Sequence, residues 1–181
     1  MDEVYLVDLA TGLCTPQPRL RTPRMAFASA RMPDGRIIVA GGLRDGGNAV
    51  ITTAEVWEPS RGARRALPGM GTPRHRCCGC MLSDGRFAVL GGRNGYGTAH
   101  ASCEALILDN GAERWEPLPP MLEARAGFAC AAVGGCVIAA GGCGIGGDLS
   151  SAEVFEEATG EWRRLPCNMP RAVSYMGSAV L

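Results

Sequence analysis

The chain has 181 residues, a length that fits one ordinary domain. Hydrophobic residues make up 46% of it and charged residues 20%, which is the balance of a globular protein and not of a disordered one. All 18 basic residues are arginine and 18 acidic residues offset them, so the chain lacks the basic excess of a nucleic-acid-binding or membrane-surface protein. No apolar run is long enough to span a membrane, and the polar start Met1-Asp2-Glu3 does not predict a signal peptide.

The first predicted element is a β-strand over residues 3–8, which opens with Glu3 and ends in a turn at Gly12. Strands of the same kind open with Glu55, Glu104 and Glu153. A short strand that carries proline follows in several units, and proline is compatible with a strand at a sheet edge. The clearest of these short strands begin with Trp115 and Trp162, while Cys14 and Arg64 stand at the equivalent positions.

An arginine comes next in each unit, followed by a run of small and apolar residues. These arginines are Arg24, Arg74, Arg125 and Arg171. Ten residues after the first two arginines stand Asp34-Gly35 and Asp84-Gly85, and the third unit has Gly134-Gly135. Such dipeptides between apolar runs predict two-residue hairpin turns in which both residues adopt positive φ.

Each hairpin leads into an apolar run that stops at a pair of glycines. The pairs are Gly41-Gly42, Gly91-Gly92 and Gly141-Gly142, and their first members are 50 residues apart in both intervals. Because the runs show no polar alternation, they predict strands that are buried on both faces. A fixed period of about 50 residues indicates a repeat architecture built from four-stranded antiparallel blades around an axis.

The predicted fold is therefore an all-β propeller that occupies residues 1–181 as a single domain, with three complete units and partial units at both ends. The predicted units are 1–23 (partial), 24–73, 74–124, 125–170 and 171–181 (partial). Unpaired edges and apolar faces at both ends would be prone to association. We expect an incomplete arc of three to four blades that belongs to a larger propeller or self-associates.

With the arginine, the Asp-Gly turn, the glycine pair, the glutamate strand and the tryptophan in this order, the whole chain resembles the kelch-repeat β-propellers. Residues 32–42 and 73–95 carry the resemblance most clearly. The aromatic that many kelch repeats place three residues before the glycine pair is absent, and Ile38, Ala88 and Ile138 stand there. The resemblance implies a ring of five to seven blades whose rim captures short peptide motifs, often acidic, through arginines.

Two roles remain open for the repeated arginines and glutamates. In one, Glu55, Glu104 and Glu153 pair with arginines and brace the blades, as the glycine pairs and tryptophans do. In the other, Arg24, Arg74, Arg125 and Arg171 present guanidinium groups to a partner. The loops after the glycine pairs lie at the same end and supply further candidates, since loops on a rigid scaffold carry recognition. These candidates are His75, Arg44, Asp45, Asn48, Arg93, Asn94, Tyr96 and Asp148.

The sequence predicts no enzyme, metal or cofactor. Its two histidines lie in different repeats, and its tyrosines show no arrangement that resembles the copper site of galactose-oxidase-like enzymes. In a strand, Cys77 would face away from Cys78 and Cys80, which splits these possible zinc ligands. Nine cysteines without a paired framework favour reduced thiols and a cytoplasmic location, with the nucleus as the alternative.

The predicted function is a non-catalytic module that binds a protein or peptide, with an acidic motif as the expected ligand and neither nucleic acid nor membrane as a partner. Substrate recognition for a ubiquitin ligase and binding to the cytoskeleton are the roles that the resemblance implies. The alternative is a remnant of a galactose-oxidase-like or carbohydrate-active extracellular propeller.

Overall fold

The structure is a computed structural model that describes residues 2–44, 49–108 and 112–177. It is built almost wholly from short antiparallel strands, and within the described ranges the one helical segment is a 3₁₀ turn at Pro59–Arg61. The predicted all-β class is confirmed. The strands form a two-stranded hairpin followed by three four-stranded blades.

The opening hairpin and the first blade occupy the N-terminal third of the chain. The hairpin consists of β1 (Val4–Val7) and β2 (Cys14–Gln17). The strands that follow are β3 (Arg24–Met25), β4 (Ala28–Arg31), β5 (Ile37–Ala40), β6 (Leu43–Arg44), β7 (Ala54–Glu58) and β8 (Ala63–Leu67). The blade has the order β4-β5-β7-β8, and the short strands β3 and β6 pair with each other beside it.

The second and third blades repeat this plan. The second contains β9 (Cys78–Met81), β10 (Phe87–Leu90), β11 (Cys103–Ile107) and β12 (Arg114–Leu118) in that order. The remaining strands are β13 (Ala129–Val133), β14 (Cys136–Ala140), β15 (Cys143–Gly144), β16 (Gly147–Asp148), β17 (Ala152–Glu156) and β18 (Glu161–Arg164). The third blade has the order β13-β14-β17-β18, and β15 pairs with β16. The boundaries drawn between the units stay a prediction.

The first strands of neighbouring blades lie side by side at the inner edge of the arc, since β9 contacts both β4 and β13. The glycine-pair strands β5, β10 and β14 are second in each blade, with hydrogen-bonded neighbours on both sides. Strand β10 shows the burial that its apolar sequence predicts, because all four of its residues are buried. Phe87 and Val89 pack toward the first blade, while Ala88 and Leu90 pack toward the third. The two cores are therefore layers between blades.

The glycine pairs allow the backbone of one blade to approach the next. A Cβ on Gly91, whose φ is +56°, would lie 2.6 Å from the carbonyl oxygen of Arg125. The amide of the second glycine, Gly92, donates to that same oxygen at 2.9 Å. Gly42 makes the equivalent bond to Arg74 at 2.8 Å. Each pair thus fixes the spacing between a blade and the arginine loop of its neighbour.

The hairpin prediction is correct for the third unit and wrong for the first two. Gly134 and Gly135 both have positive φ and form a two-residue turn. In the first unit Gly35 is the one loop residue with positive φ. Its amide donates to the carbonyl oxygen of Met32 at 2.9 Å, so the loop between the strands is longer than two residues. Asp34 instead accepts hydrogen bonds from the amide and the Nε of Arg36, at 3.0 and 2.7 Å. This is the longer type of hairpin loop, which needs a left-handed residue at one position only.

The tryptophans of the outer strands reach back to the preceding blade, in keeping with the structural role predicted for them. The indole Nε1 of Trp115 donates to the Pro68 oxygen at 2.8 Å, and that of Trp162 donates to the Pro119 oxygen at 3.0 Å. Trp115 also meets Phe87 edge to face, with 6.1 Å between ring centroids. An outer link between blades therefore supplements the buried layers.

At the inner edge, one backbone hydrogen bond crosses each boundary between successive repeat units. The Arg76 amide donates to the Ala26 oxygen at 2.7 Å, the Gly127 amide to the Arg76 oxygen at 2.8 Å, and the Tyr175 amide to the Gly127 oxygen at 2.7 Å. All four residues have φ between 53° and 62°. Three of them are not glycine, and this backbone conformation costs such residues energy. We call this series the axial hydrogen-bond chain.

Candidate partner-binding face

The segments before the inner strands and the loops after the glycine pairs meet at one end of the arc. Strand β3 pairs with β6, His75 pairs with Arg93, and Ala126 pairs with Cys143. We call this end the loop face, defined by residues 25–26, 43–44, 75–76, 93–97, 126–127 and 143–148. It brings together most of the candidate residues that the sequence singles out.

Three of the repeated arginines lie beneath this face and not on it. Arg24, Arg74 and Arg125 are 2%, 0% and 1% exposed. Each is ion-paired with the glutamate of its own blade, Glu55, Glu104 or Glu153, at 3.1, 2.7 and 2.7 Å. Burial lowers the pKa of Arg24, and the charge of Glu55 opposes that shift.

The hydrogen-bond partners of these arginines repeat from blade to blade. In the second blade, one terminal nitrogen of Arg74 donates to the carbonyl oxygens of Gly91 and Ser102, at 2.7 and 2.8 Å. The other donates to the Ser102 hydroxyl at 3.1 Å as well as to Glu104. Thr53 and Ser151 take the place of Ser102 in the other two blades. The sequence reasoning missed these hydroxyls, although each stands two residues before the repeated glutamate.

The glutamates of these pairs also hold the loop that leads into the blade. Glu104 accepts hydrogen bonds from the amides of Gly71 and Thr72, at 2.7 and 3.1 Å. Glu153 does the same for Leu122 and Glu123, at 2.6 and 3.3 Å. Because the guanidinium groups are buried and each is ion-paired within its own blade, the geometry supports the bracing role for Arg24, Arg74 and Arg125.

Arg171 does not belong to this set. Val173 occupies the equivalent position, because its carbonyl oxygen accepts from Gly142 as that of Arg74 accepts from Gly42. Tyr175, two residues later, has the positive φ found two residues after each buried arginine. Arg171 itself is exposed. The choice of Arg171 as the fourth repeat arginine is therefore wrong by two residues. Met-Pro-Arg resembles Thr-Pro-Arg in sequence, but its arginine lies two residues before the equivalent position.

The loop face holds a cavity of about 310 Å³ between the segment that leads into β9 and the loop that follows Gly91-Gly92. It is lined by His75, Arg76, Arg93, Asn94, Gly95, Gly97 and Leu43. Three of the predicted candidates, His75, Arg93 and Asn94, therefore meet in one place. Arg76 was missed, although it follows Arg74 by two residues in Pro-Arg-His-Arg. Its position at the turn with positive φ directs it to the inner edge, which the sequence alone does not show.

The cavity is electropositive. The guanidinium partners of Arg76 and Arg93 among the described residues are the Tyr175 hydroxyl and, at 3.8 Å, the Cys143 sulfur, neither of which offsets a positive charge. Burial, followed by the charges of these two arginines, lowers the pKa of His75. Two buried nitrogens, His75 Nδ1 and Arg93 Nε, have no hydrogen-bond partner among the described residues. Such groups favour a ligand that brings negative charge and hydrogen-bond acceptors.

The rim of this cavity carries a solvent-exposed aromatic ring on a braced loop. Asn94 accepts hydrogen bonds from the amides of Tyr96 and Thr98 at 3.0 and 3.1 Å, so it shapes the loop. Tyr96, at the tip of this loop, is 98% exposed. Arg44 and Asp148 are also exposed on this face. Asn48 and Asp45 lie outside the described residues.

A second aromatic lies on the other side of Arg76. The Arg76 guanidinium lies over the Tyr175 ring, 4.8 Å from its centroid, and donates a hydrogen bond to the Tyr175 hydroxyl. Tyr175 is 66% exposed. This contact orients the arginine and leaves its positive charge uncompensated.

No cluster of three or more histidine, cysteine, aspartate or glutamate side chains able to hold a metal ion occurs within residues 2–44, 49–108 and 112–177. Over the same residues, no helix is long and apolar enough to cross a membrane. Cys77 packs in the layer between the first two blades, whereas Cys80 packs in the next layer with Cys78 against it. The predicted division of these cysteines between two faces is therefore confirmed.

Comparison with known proteins agrees with this architecture. Residues 124–169 match the family model described as the Kelch motif. The chain is 40% identical to Kelch-like protein 34 of Homo sapiens over 67 residues, which is 36% of this chain and 10% of that protein. The solved structure of YjhT superposes with a TM-score of 0.80 at 17% identity, over 96% of this chain and 62% of the other. The chain thus spans less than two thirds of either protein.

Proposed function

Since this chain is a kelch-repeat protein that folds as an arc of propeller blades, we propose that its loop face binds a protein or peptide partner through carboxylate groups. The observation that carries the proposal is the cavity between Arg76 and Arg93. Among the described residues neither guanidinium group has a carboxylate partner there, whereas each arginine beneath the face is ion-paired with a glutamate. A peptide carboxylate would supply the missing negative charge.

The surroundings of the cavity suit a short acidic peptide. Tyr96 and Tyr175 offer exposed rings on either side, and aromatic side chains with arginine are the residues that dominate binding energy at interfaces. The cavity volume of about 310 Å³ is at the lower end of the range for small ligands, so it fits one or two side chains of an extended partner.

We propose that the face carries no chemistry of its own. His75 lies in the cavity lining, where burial and then the charges of the adjacent arginines lower its pKa, and no nucleophile or acid lies beside it in that lining. Recognition of a ubiquitin-ligase substrate and attachment to a cytoskeletal filament would both use such a surface. Co-sedimentation with filamentous actin separates the second role from the first. Nine cysteines, a number that gives no paired disulfide framework, support a cytoplasmic or nuclear location.

The test uses two labelled peptides, one with six glutamates and one with six glutamines, and measures fluorescence anisotropy at low salt. We expect the glutamate peptide alone to bind. Arg76→Ala and Arg93→Ala should each weaken binding about 10- to 100-fold, the equivalent of one charged hydrogen bond of about 1.5–3 kcal/mol.

Arg86→Ala is the matched control, because Arg86 is a half-buried arginine away from the loop face that is already paired with Asp84 in a hairpin loop. It should leave the affinity unchanged. Equal binding of both peptides, or equal losses in the Arg76, Arg93 and Arg86 variants, would show that the loop face does not select carboxylates.

A further inference from the structure

Three thiols from two blades meet at the inner edge of the arc, away from the loop-face cavity. Cys78 and Cys80 lie two residues apart in β9 and point toward the third blade, whose inner strand β13 carries Cys130. Strands β9 and β13 are in direct contact. We call these residues the thiol cluster.

The contacts within the thiol cluster cross the boundary between the two blades in both directions. The Cys78 thiol donates to the Phe128 carbonyl oxygen at 2.9 Å, and the Cys130 thiol donates to the Gly79 oxygen at 3.9 Å. The neighbouring thiols of Cys78 and Cys80 both act on the pKa of Cys130, Cys78 raising it and Cys80 lowering it, so the three side chains lie within interaction range. The three sulfur atoms therefore share one site.

The members of the cluster differ in exposure. Cys78 and Cys130 are half-buried, whereas Cys80 is 7% exposed and packs in the layer between the blades. An oxidant that enters along the inner edge of the arc therefore meets Cys78 or Cys130 before it meets Cys80.

We propose that Cys78 and Cys130 are a redox-sensitive pair that forms a disulfide between the second and third blades on exposure to a peroxide. Strands β9 and β13 are in direct contact, and the thiol of each residue reaches a carbonyl oxygen of the other strand. The disulfide would join two repeats that otherwise associate only by packing and hydrogen bonds.

The reaction has two steps. The Cys78 thiol gives up its proton, and its thiolate attacks one oxygen of hydrogen peroxide, breaks the O–O bond and becomes a sulfenic acid; the hydroxide released takes up the thiol proton and leaves as water. The Cys130 sulfur then attacks the Cys78 sulfur, the S–O bond breaks, and the released hydroxide takes up the thiol proton as a second water. Two thiols are oxidised by two electrons in total, and one peroxide is reduced to two waters.

The order of attack follows from the environment of each thiol. Hydrogen bonding with Cys78 and burial raise the pKa of Cys130 well above its usual value, so this thiol is a poor first nucleophile. It is suited to the second step, in which it meets an activated sulfur on the adjacent strand.

The experiment uses the full chain with Cys14→Ser and Cys167→Ser, which remove the two exposed cysteines. The protein is treated with hydrogen peroxide, blocked with N-ethylmaleimide, digested with trypsin and analysed by mass spectrometry without reduction. We expect a cross-link between the peptide that contains Cys78 and the peptide that contains Cys130, lighter by two hydrogens and lost on reduction.

Single variants assign the bond, because one tryptic peptide holds Cys77, Cys78 and Cys80. Cys78→Ser and Cys130→Ser should each abolish the cross-link, and Cys130→Ser should leave a sulfenic acid on Cys78 that dimedone traps. Cys80→Ser, and Cys136→Ser as a half-buried cysteine outside the cluster, should retain it. A cross-link that survives in Cys78→Ser, or cluster thiols that all remain open to alkylation after peroxide is consumed, would overturn the proposal. Far-UV circular dichroism checks that each variant is folded.

Discussion

Arg64 and Trp115 occupy equivalent positions in neighbouring blades and donate equivalent hydrogen bonds from chemically different side chains. The Nε of Arg64 donates to the Pro18 oxygen at 2.8 Å, and the indole Nε1 of Trp115 donates to the Pro68 oxygen at 2.8 Å. The Arg64 guanidinium also lies over the Trp57 ring of the adjacent strand β7, 5.1 Å from its centroid. A planar group with an N–H donor is thus retained where the tryptophan is lost.

This equivalence predicts that tryptophan can replace the arginine. Arg64→Ala should lower the free energy of unfolding by about 0.5–1.5 kcal/mol, because it leaves the Pro18 oxygen without this donor. Arg64→Trp should recover most of that loss, since an indole can reach the same oxygen. Urea denaturation followed by circular dichroism compares the variants. If Arg64→Trp is as unstable as Arg64→Ala, the two side chains are not interchangeable.

Breaking one buried ion pair should have a large effect. Glu104→Gln removes the charge that compensates Arg74, whose side chain is fully buried, and places an amide among the donors of Gly71 and Thr72. We expect a loss of about 3–5 kcal/mol in the free energy of unfolding. The exposed pair of Asp84 with Arg86 is the control, and Asp84→Asn should cost about 0–1 kcal/mol. Equal losses in the two variants would contradict the bracing role.

The glycine pairs can be tested at one position. Gly91→Ala puts a methyl group 2.6 Å from the Arg125 carbonyl oxygen and forces a left-handed backbone on alanine. The strained conformation alone costs about 1–3 kcal/mol, and the contact adds to it. Gly146→Ala is the control, because no atom lies within 4 Å of its added Cβ. Thermal unfolding should show a clear drop in Tm for the first variant and little change for the second.

The two histidines should make stability depend on pH just below neutrality. Burial is the largest cause that lowers the pKa values of His75 and His100 in the folded chain, with nearby arginines adding to it. Between these lowered values and the unfolded value of about 6.5, the unfolded chain binds more protons. The free energy of unfolding should therefore fall as pH decreases below about 6.5. A His75→Gln/His100→Gln variant, compared with the parent at pH 7 and 5.5, should lose most of this dependence.

The opening hairpin predicts self-association of the 181-residue chain. Tyr5, Leu6, Val7, Leu9 and Leu13 are all between 47% and 96% exposed on or beside β1 and β2. A group of exposed apolar side chains next to a sheet edge favours contact with another surface. Size-exclusion chromatography with light scattering should show species heavier than 18.9 kDa. A stable monomer with a cooperative thermal transition would contradict this expectation.

The fold could be predicted because its determinants recur in the sequence at nearly constant spacing. The pairs that begin at Gly41, Gly91 and Gly141 follow the second strand of every blade. The apolar run before each pair contains no polar residue, and this pattern predicts a strand inside the blade. The candidate site could be predicted only in part. His75 and Arg93 stand beside repeated motifs, but nothing in the sequence shows that Arg76 has the backbone conformation that turns it toward them.

The error at Arg171 has a related cause. The sequence pattern aligns Met-Pro-Arg with the Thr-Pro-Arg segments of the other units by its arginine. The structure aligns this segment by Met169, which packs against Gly141 as Met121 packs against Gly91. Side-chain burial against a glycine is a tertiary relationship, and it decides the register where short polar motifs are ambiguous.

The axial hydrogen-bond chain has a consequence for how the arc comes apart. Each link joins only two neighbouring blades, through Ala26, Arg76, Gly127 and Tyr175 in turn. The repeat units are therefore connected in series, and separation of the C-terminal segment that carries Tyr175 breaks the Tyr175–Gly127 link while the links between the three blades persist. Local opening should spread inward from the ends of the arc, so the second blade, with a neighbour on each side, keeps its amide protons longest in deuterated solvent.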